Sequence, residues 1–154
     1  MYEDVGKDIL QKLKFERVSY FSKDIARIMT EILPMLPPDT IICHVPTAPK
    51  RIRVRGYDQS QLIAKKLAKN KVLQYKNLVT RASNSRQLGA TREKRFEQVK
   101  NSYQIKGKEV VKGAKILIVD DVTTSGATLE HLAKLLKKAG AKSVDAIVFA
   151  QAVD

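Results

Sequence analysis

The segment KILIVDDVTTSGATLE, Lys115 to Glu130, limits the folds open to this chain more than any other feature. Ile116 to Val119 is an uninterrupted Leu and β-branched run. Asp120 and Asp121 follow it, and Thr123, Thr124, Ser125, Gly126, Ala127 and Thr128 make a small, hydroxyl-rich loop. Leu129 to Ala139 are strong helix formers with Leu132, Leu135 and Leu136 on one face, and Gly140 stands where a left-handed C′ residue belongs. Val144 to Ala150 is a second apolar run, so residues 115–154 predict two parallel strands joined by a helix in a right-handed crossover. Strands that are apolar throughout point to a parallel sheet covered on both faces, hence an α/β fold.

The rest of the chain supplies partners for that unit. Residues 2–13 carry Val5, Ile9, Leu10 and Leu13 at helical spacing, and residues 22–36 carry Ile25, Ile28, Met29, Ile32, Leu33 and Leu36, with Ser22 as N-cap and Pro34 as a kink or stop. Pro37-Pro38-Asp39 breaks the chain before a buried strand at Ile41 to Val45. Tyr57 to Lys69 reads as a helix with Leu62, Ile63, Ala64, Leu67 and Ala68 on one side, and Val72 to Thr80 as a strand. Arg81 to Thr91 is loop-like, Arg92 to Val99 a short helix and Ser102 to Ile105 a strand. At 154 residues the chain suits one domain, with helical and hood elements in 1–38 and the core in 39–154. A single cysteine, Cys43, excludes a disulfide framework and a thiolate zinc site. No apolar run approaches a signal peptide or membrane span, and the expected location is the cytoplasm.

Charge narrows the function. Lys50 to Lys100 hold 15 Lys and Arg against Asp58, Glu93 and Glu97, nearly all of the chain's net charge of +13. Such regional basicity suggests a site for a polyanion, either nucleic acid or a polyphosphorylated small molecule.

In an open α/β sheet, ligands sit beyond the carboxyl ends of the strands, where the Thr123 to Thr128 loop emerges. Gly126 and Ala127 let the backbone come close, Thr124, Ser125 and Thr128 offer hydroxyls, and the next helix presents free N–H groups, which together suit a monophosphate. Asp120 and Asp121 can accept hydrogen bonds from vicinal hydroxyls or hold the water of a hydrated Mg²⁺. The bland alternative is an acidic strand end and a Thr128 N-cap. A phosphoacceptor receiver domain also begins with a strand and two acids, but only 33 residues follow Asp121, too few for its remaining sheet.

VPTAPKRIRVRGYDQSQ, Val45 to Gln61, should open at the same sheet edge. Lys50, Arg51, Arg53 and Arg55 fill four of six positions in what reads as a loop stiffened by Pro46 and Pro49, dense enough for pyrophosphate oxygens, with at most two of the four in direct contact. Around Gly89-Ala90 lie Arg81, Arg86, Gln87, Arg92, Lys94 and Arg95, and three readings stay open there: a mobile cationic hood, a nucleic-acid loop or a plain surface loop. His44 and His131 read as packing and surface residues, and Cys43 as a buried small residue.

These residues resemble the type I phosphoribosyltransferase superfamily, whose fingerprint is an apolar strand, two acids and a Thr/Gly loop; ILIVDDVTTSGATL matches it. Within the superfamily the chain is similar to the ComF competence-protein family in LKF at Leu13 to Phe15, Val45-Pro46, RVRGYDQSQLIAKKLA at Arg53 to Ala68, RQL at Arg86 to Leu88 and AGAKSV at Ala139 to Val144. It departs from that family in lacking an N-terminal cysteine cluster of zinc-ribbon type, and in Ser125 for Thr, Asp58 for Asn and Gln98 for a hood Asn. The resemblance implies a type I phosphoribosyltransferase fold with a small hood, and a Mg²⁺-dependent site for phosphoribosyl pyrophosphate. By that implication Asp120 and Asp121 are catalytic and hold the ribose hydroxyls, residues 123–128 hold the 5-phosphate, Lys50, Arg51, Arg53 and Arg55 meet the pyrophosphate, and Arg86, Arg92 and Arg95 belong to the hood. The protein supplies no direct metal ligand, since the ion rides on the substrate with the two acids nearby.

The leading expectation is transfer of a phosphoribosyl group to an unidentified acceptor. Its rival is a non-catalytic module of the competence or DNA-uptake machinery, binding single-stranded DNA or a protein partner, with the ribose phosphate as regulator. Only Tyr57, Tyr75 and Phe96 offer stacking surfaces in the basic half. Hydrolysis ranks last, because no positioned general base is visible. The amphipathic N-terminal helices leave room for a homodimer contact.

Overall fold

Four parallel strands organise the protein, which the computed structural model describes at residues 18, 20–81 and 102–152. β1 (Thr40–His44), β2 (Gln74–Tyr75), β5 (Lys115–Thr123) and β6 (Ser143–Gln151) form one sheet in the order β2-β1-β5-β6. The apolar runs at Ile41 and Ile116 therefore lie side by side at its centre, with Ile42 opposite Leu117 and Cys43 opposite Ile118. A second, two-stranded antiparallel sheet pairs β3 (Val79–Arg81) with β4 (Tyr103–Ile105).

Side chains alternate across the central strands, and each face has its own cover. On one face Ile42, Leu117 and Val119 pack against Ile63, Ala64, Leu67 and Ala68 of α3 (Gln59–Lys71) and against Ile25, Ala26 and Met29 of α1, a helix over 20–32. On the other, Cys43, Ile116 and Ile118 meet Leu132 and Leu136 of α5 (Ala127–Lys138), with Val79 and Tyr103 of the small sheet and Val111 of α4 (Lys108–Val111). Leu132 and Leu136 are fully buried, and each such side chain contributes about 1.5–3 kcal/mol. Burial also lifts the Cys43 thiol to about 12, so it acts as a small apolar residue.

Several expected boundaries move. Ser22 lies inside α1, where its hydroxyl donates to the Val18 carbonyl at 2.7 Å, so it is no N-cap. That helix stops at 32 and not 36, because the residue before Pro34 is pushed out of the helical region. The single strand expected over Val72 to Thr80 is two short strands in different sheets, β2 and β3, separated by residues 76–78. Lys50 to Arg55 are not loop but most of a short helix, α2 (Pro49–Arg55), with Pro49 at its start and Gly56 closing it in the left-handed region at φ 83°. No peptide bond among the described residues is cis. The helices expected at 2–13 and 92–99 fall outside the described residues, as do Arg86, Arg92, Arg95 and Gln98.

α3 ends at Val72, which adopts φ 56° with its side chain 89 % exposed. A β-branched residue is disfavoured in that conformation and here gains nothing from packing. Val72→Gly should therefore stabilise the protein by about 1 kcal/mol, read as a higher urea midpoint; a lower midpoint would contradict the assigned conformation.

Outside the core, α1 carries an exposed apolar stripe of Phe21, Ile28 and Ile32, continued by Met35 beyond its end. Among the described residues, no helix is long and apolar enough to cross a membrane.

Candidate functional site

The two crossovers leave the sheet in opposite directions. β1 leads through α3 to β2 on one side, β5 leads through α5 to β6 on the other, and the two helices cover opposite faces. The chain therefore parts between the carboxyl ends of β1 and β5, which makes a crevice at the switch point. Register places the acids there: His44, the last residue of β1, pairs with Val119, and Asp120 is one step beyond. β5 runs on through both acids to Thr123, because β6 continues alongside it as far as Gln151. The hydroxyl loop is accordingly shorter than expected, only residues 124–126 lying between strand and helix.

Asp120 is 9 % exposed, and its Oδ1 accepts from the Ser60 hydroxyl at 2.8 Å and from the Asp121 amide at 3.0 Å. Asp121 is half-buried, its Oδ1 accepting from the Val122 amide at 2.9 Å, with the Ser60 hydroxyl 3.2 Å away. Burial, reinforced by the Asp121 charge, raises the Asp120 carboxyl to about 7 against the pull of the Ser60 hydrogen bond. A carboxylate kept in so costly a place is characteristic of functional sites.

Beyond the acids, Gly126 occupies the left-handed region at φ 72°, where a Cβ would meet nothing within 4 Å. It is also the N-cap position of α5, so Thr128 is no cap and lies in the first turn. Gly126 N–H donates to Thr123 Oγ1 at 3.2 Å and Ala127 N–H to Ser125 Oγ at 3.4 Å, while the Thr124 carbonyl accepts from the side-chain Nε2 of Gln151 at 3.3 Å. The Gly126 and Ala127 amides, expected to be free for an anion, are thus taken by loop hydroxyls, in a turn that lies at the N-terminus of a 12-residue helix.

α2 follows β1 at the same end of the sheet. Helical spacing puts Arg51 and Arg55 on one side and Lys50 and Arg53 on another, with Val54, 80 % exposed, between them.

The anchor for this region was not legible as a site residue. Asp58 is the N-cap of α3, accepting from the Gln61 amide at 3.2 Å, and it clamps Thr47 through the amide at 2.9 Å and the hydroxyl at 3.0 Å. The signal was present as an Asp three residues before Gln at a helix start. His44, 3 % exposed, has Nε2 3.7 Å from Asp58 Oδ2 and Nδ1 2.9 Å from the Tyr75 hydroxyl. Burial holds its imidazole below the ordinary value although the Asp58 charge pulls upward. Asp58→Ala removes the cap and both Thr47 bonds and should cost roughly 1–3 kcal/mol by urea unfolding; a change within 0.5 kcal/mol, the scale of an ordinary surface substitution, would deny it the anchoring role.

Ser60 was likewise missed, since nothing in a lone helical Ser announces a bond to acids 60 residues away. His131 is half-buried, its ring centroid 6.2 Å from that of Tyr103.

Comparison with known proteins agrees with this fold. The phosphoribosyl transferase domain family matches residues 55–153. The chain is 28 % identical over 148 residues to Competence protein F of Haemophilus influenzae, covering 88 % of this chain and 63 % of that protein. It is 31 % identical over 146 residues to DNA utilization protein YhgH of Escherichia coli O157:H7, with the same coverage. Competence protein ComFC of Streptococcus pneumoniae is 28 % identical over 151 residues, 93 % of this chain and 62 % of that protein. The chain thus spans just under two thirds of the length of these relatives. Among solved structures, the glutamine phosphoribosylpyrophosphate amidotransferase of B. subtilis, complexed with ADP and GMP, superposes with a TM-score of 0.60 at 18 % identity, covering 83 % of this chain and 26 % of that one. At that identity the likeness concerns the fold.

Proposed function

Because this chain belongs to the phosphoribosyl transferase domain family and, within it, to the ComF competence-protein group, we propose that it binds phosphoribosyl pyrophosphate and transfers the phosphoribosyl group to an acceptor, releasing pyrophosphate. The observation that carries this reading is the hydrogen-bonded acid pair, Asp120 buried and Asp121 half-buried, just past the end of β1 and next to the open turn at Gly126. Asp120 and Asp121 accept hydrogen bonds from the vicinal ribose hydroxyls and stabilise positive charge as the bond to pyrophosphate breaks. The Thr123 to Thr128 cradle and the α5 N-terminus hold the 5-phosphate, and one cationic pair of α2 meets the pyrophosphate. Arg86, Arg92 and Arg95 stay assigned to the hood by resemblance.

Among the described residues no three His, Cys, Asp or Glu gather to hold a metal. Two adjacent carboxylates fit a hydrated Mg²⁺ carried chiefly by phosphate oxygens, since that ion keeps several waters and needs few protein ligands. When bound it would neutralise the leaving pyrophosphate.

The test is pyrophosphate release from phosphoribosyl pyrophosphate and Mg²⁺ across a panel of nucleobases and amines. Release stimulated by one acceptor class is expected. Binding without release under any acceptor would assign the site to regulation.

The split of α2 supports a second reading, because the cationic pair turned from the crevice is free to meet another polyanion, and single-stranded DNA fits the basic half. Binding of an oligonucleotide should then weaken steeply with salt and with only one of the two double substitutions, Lys50→Ala/Arg53→Ala or Arg51→Ala/Arg55→Ala; salt-independent binding would contradict it.

A further inference from the structure

Among the described residues, one side chain from outside β5 reaches both acids. It is Ser60, in the first turn of α3 and 1 % exposed, with its hydroxyl 2.8 Å from Asp120 Oδ1 and 3.2 Å from Asp121 Oδ1. A hydroxyl has a single hydrogen to donate, so the shorter bond goes to Asp120 and Asp121 shares it at longer range. Each Oδ1 also accepts a backbone amide, from Asp121 and Val122 respectively. The hydrogen bonds from Ser60 and from the two amides thus all fall on Oδ1 of the acids. Ser60 lies two residues after Asp58, whose clamp on Thr47 fixes the start of the same helix.

We propose that Ser60 is a positioning residue for ribose recognition: by tying Oδ1 of Asp120 and Asp121 to one hydroxyl, it presents the two remaining oxygens as a preset pair for the vicinal hydroxyls of a ribose 5-phosphate. The inference rests on the ribose-phosphate reading of the site. It adds that selectivity for ribose over 2-deoxyribose resides in this tether, since a deoxy sugar can use only one member of the pair.

Calorimetric titration with ribose 5-phosphate, 2-deoxyribose 5-phosphate and inorganic phosphate tests it, on the unaltered protein and on Ser60→Ala and Ser60→Cys. The unaltered protein should prefer the ribose compound over the deoxy one. Ser60→Ala should weaken ribose 5-phosphate about tenfold, the scale of one hydrogen bond to a charged group, while phosphate affinity holds and the ribose preference collapses. Ser60→Cys keeps the side-chain volume with only a weak donor, and should behave as Ser60→Ala does. Equal weakening of all three ligands, an unchanged ribose preference, or Cys behaving like Ser would overturn the tether and leave the site reading intact. An unaltered protein that binds none of the three would overturn both.

Discussion

Asp120→Asn should make the protein more stable at pH 8, by about 2–4 kcal/mol, and leave stability near pH 3 almost unchanged. The Asp120 carboxyl titrates at about 7 in the folded chain against 3.8 for the ordinary group, chiefly because burial penalises its charge. The folded state therefore holds this proton more tightly than the unfolded one. Between about pH 4 and pH 7 the unfolded chain releases it first, and stability falls across that window until the folded group ionises too. Asn cannot ionise, so the penalty disappears, and its carbonyl still accepts the Ser60 hydroxyl and the Asp121 amide. Urea denaturation at pH 8 and pH 3 measures both ends. An Asn variant less stable at pH 8 would mean that the buried charge is compensated by contacts other than those described.

The same substitution should abolish function. If the acid pair stabilises positive charge developing on the ribose, removing one carboxylate costs about 2–4 kcal/mol of transition-state stabilisation, or roughly 30- to 1,000-fold in kcat. Asp121→Asn should show a comparable loss in pyrophosphate release without the gain in stability, because Asp121 is only half-buried. The two variants together separate the roles: one acid is costly to keep and the other is not, yet both are needed. Full turnover in the double Asn variant would rule out the mechanism. Stability gained and activity lost in Asp120→Asn would show a group retained against folding for the sake of chemistry.

The sequence made the central sheet and the acid pair legible because they rest on local rules. Ile116 to Val119 is apolar without alternation, Gly140 does adopt a positive φ of 101°, and Asp120-Asp121 follow directly on that apolar run. The errors came where tertiary contacts override local pattern. Lys50 to Arg55 read as loop because two prolines and four cations looked irregular, yet Pro49 sits at the one end of a helix that tolerates it. β5 was cut short at Val119 because its continuation through polar residues depends on the long neighbour β6. Ser60 and the link from Tyr75 through His44 to Asp58 stayed invisible, being side-chain meetings of residues far apart in the chain.

Calorimetric titration of the protein with phosphoribosyl pyrophosphate, with and without Mg²⁺ and against Asp120→Asn/Asp121→Asn, tests the assigned site most directly. Mg²⁺-dependent binding that is lost in the double variant is the predicted result. No binding to either protein, or binding indifferent to both acids, would contradict a ribose-phosphate site at the end of β5.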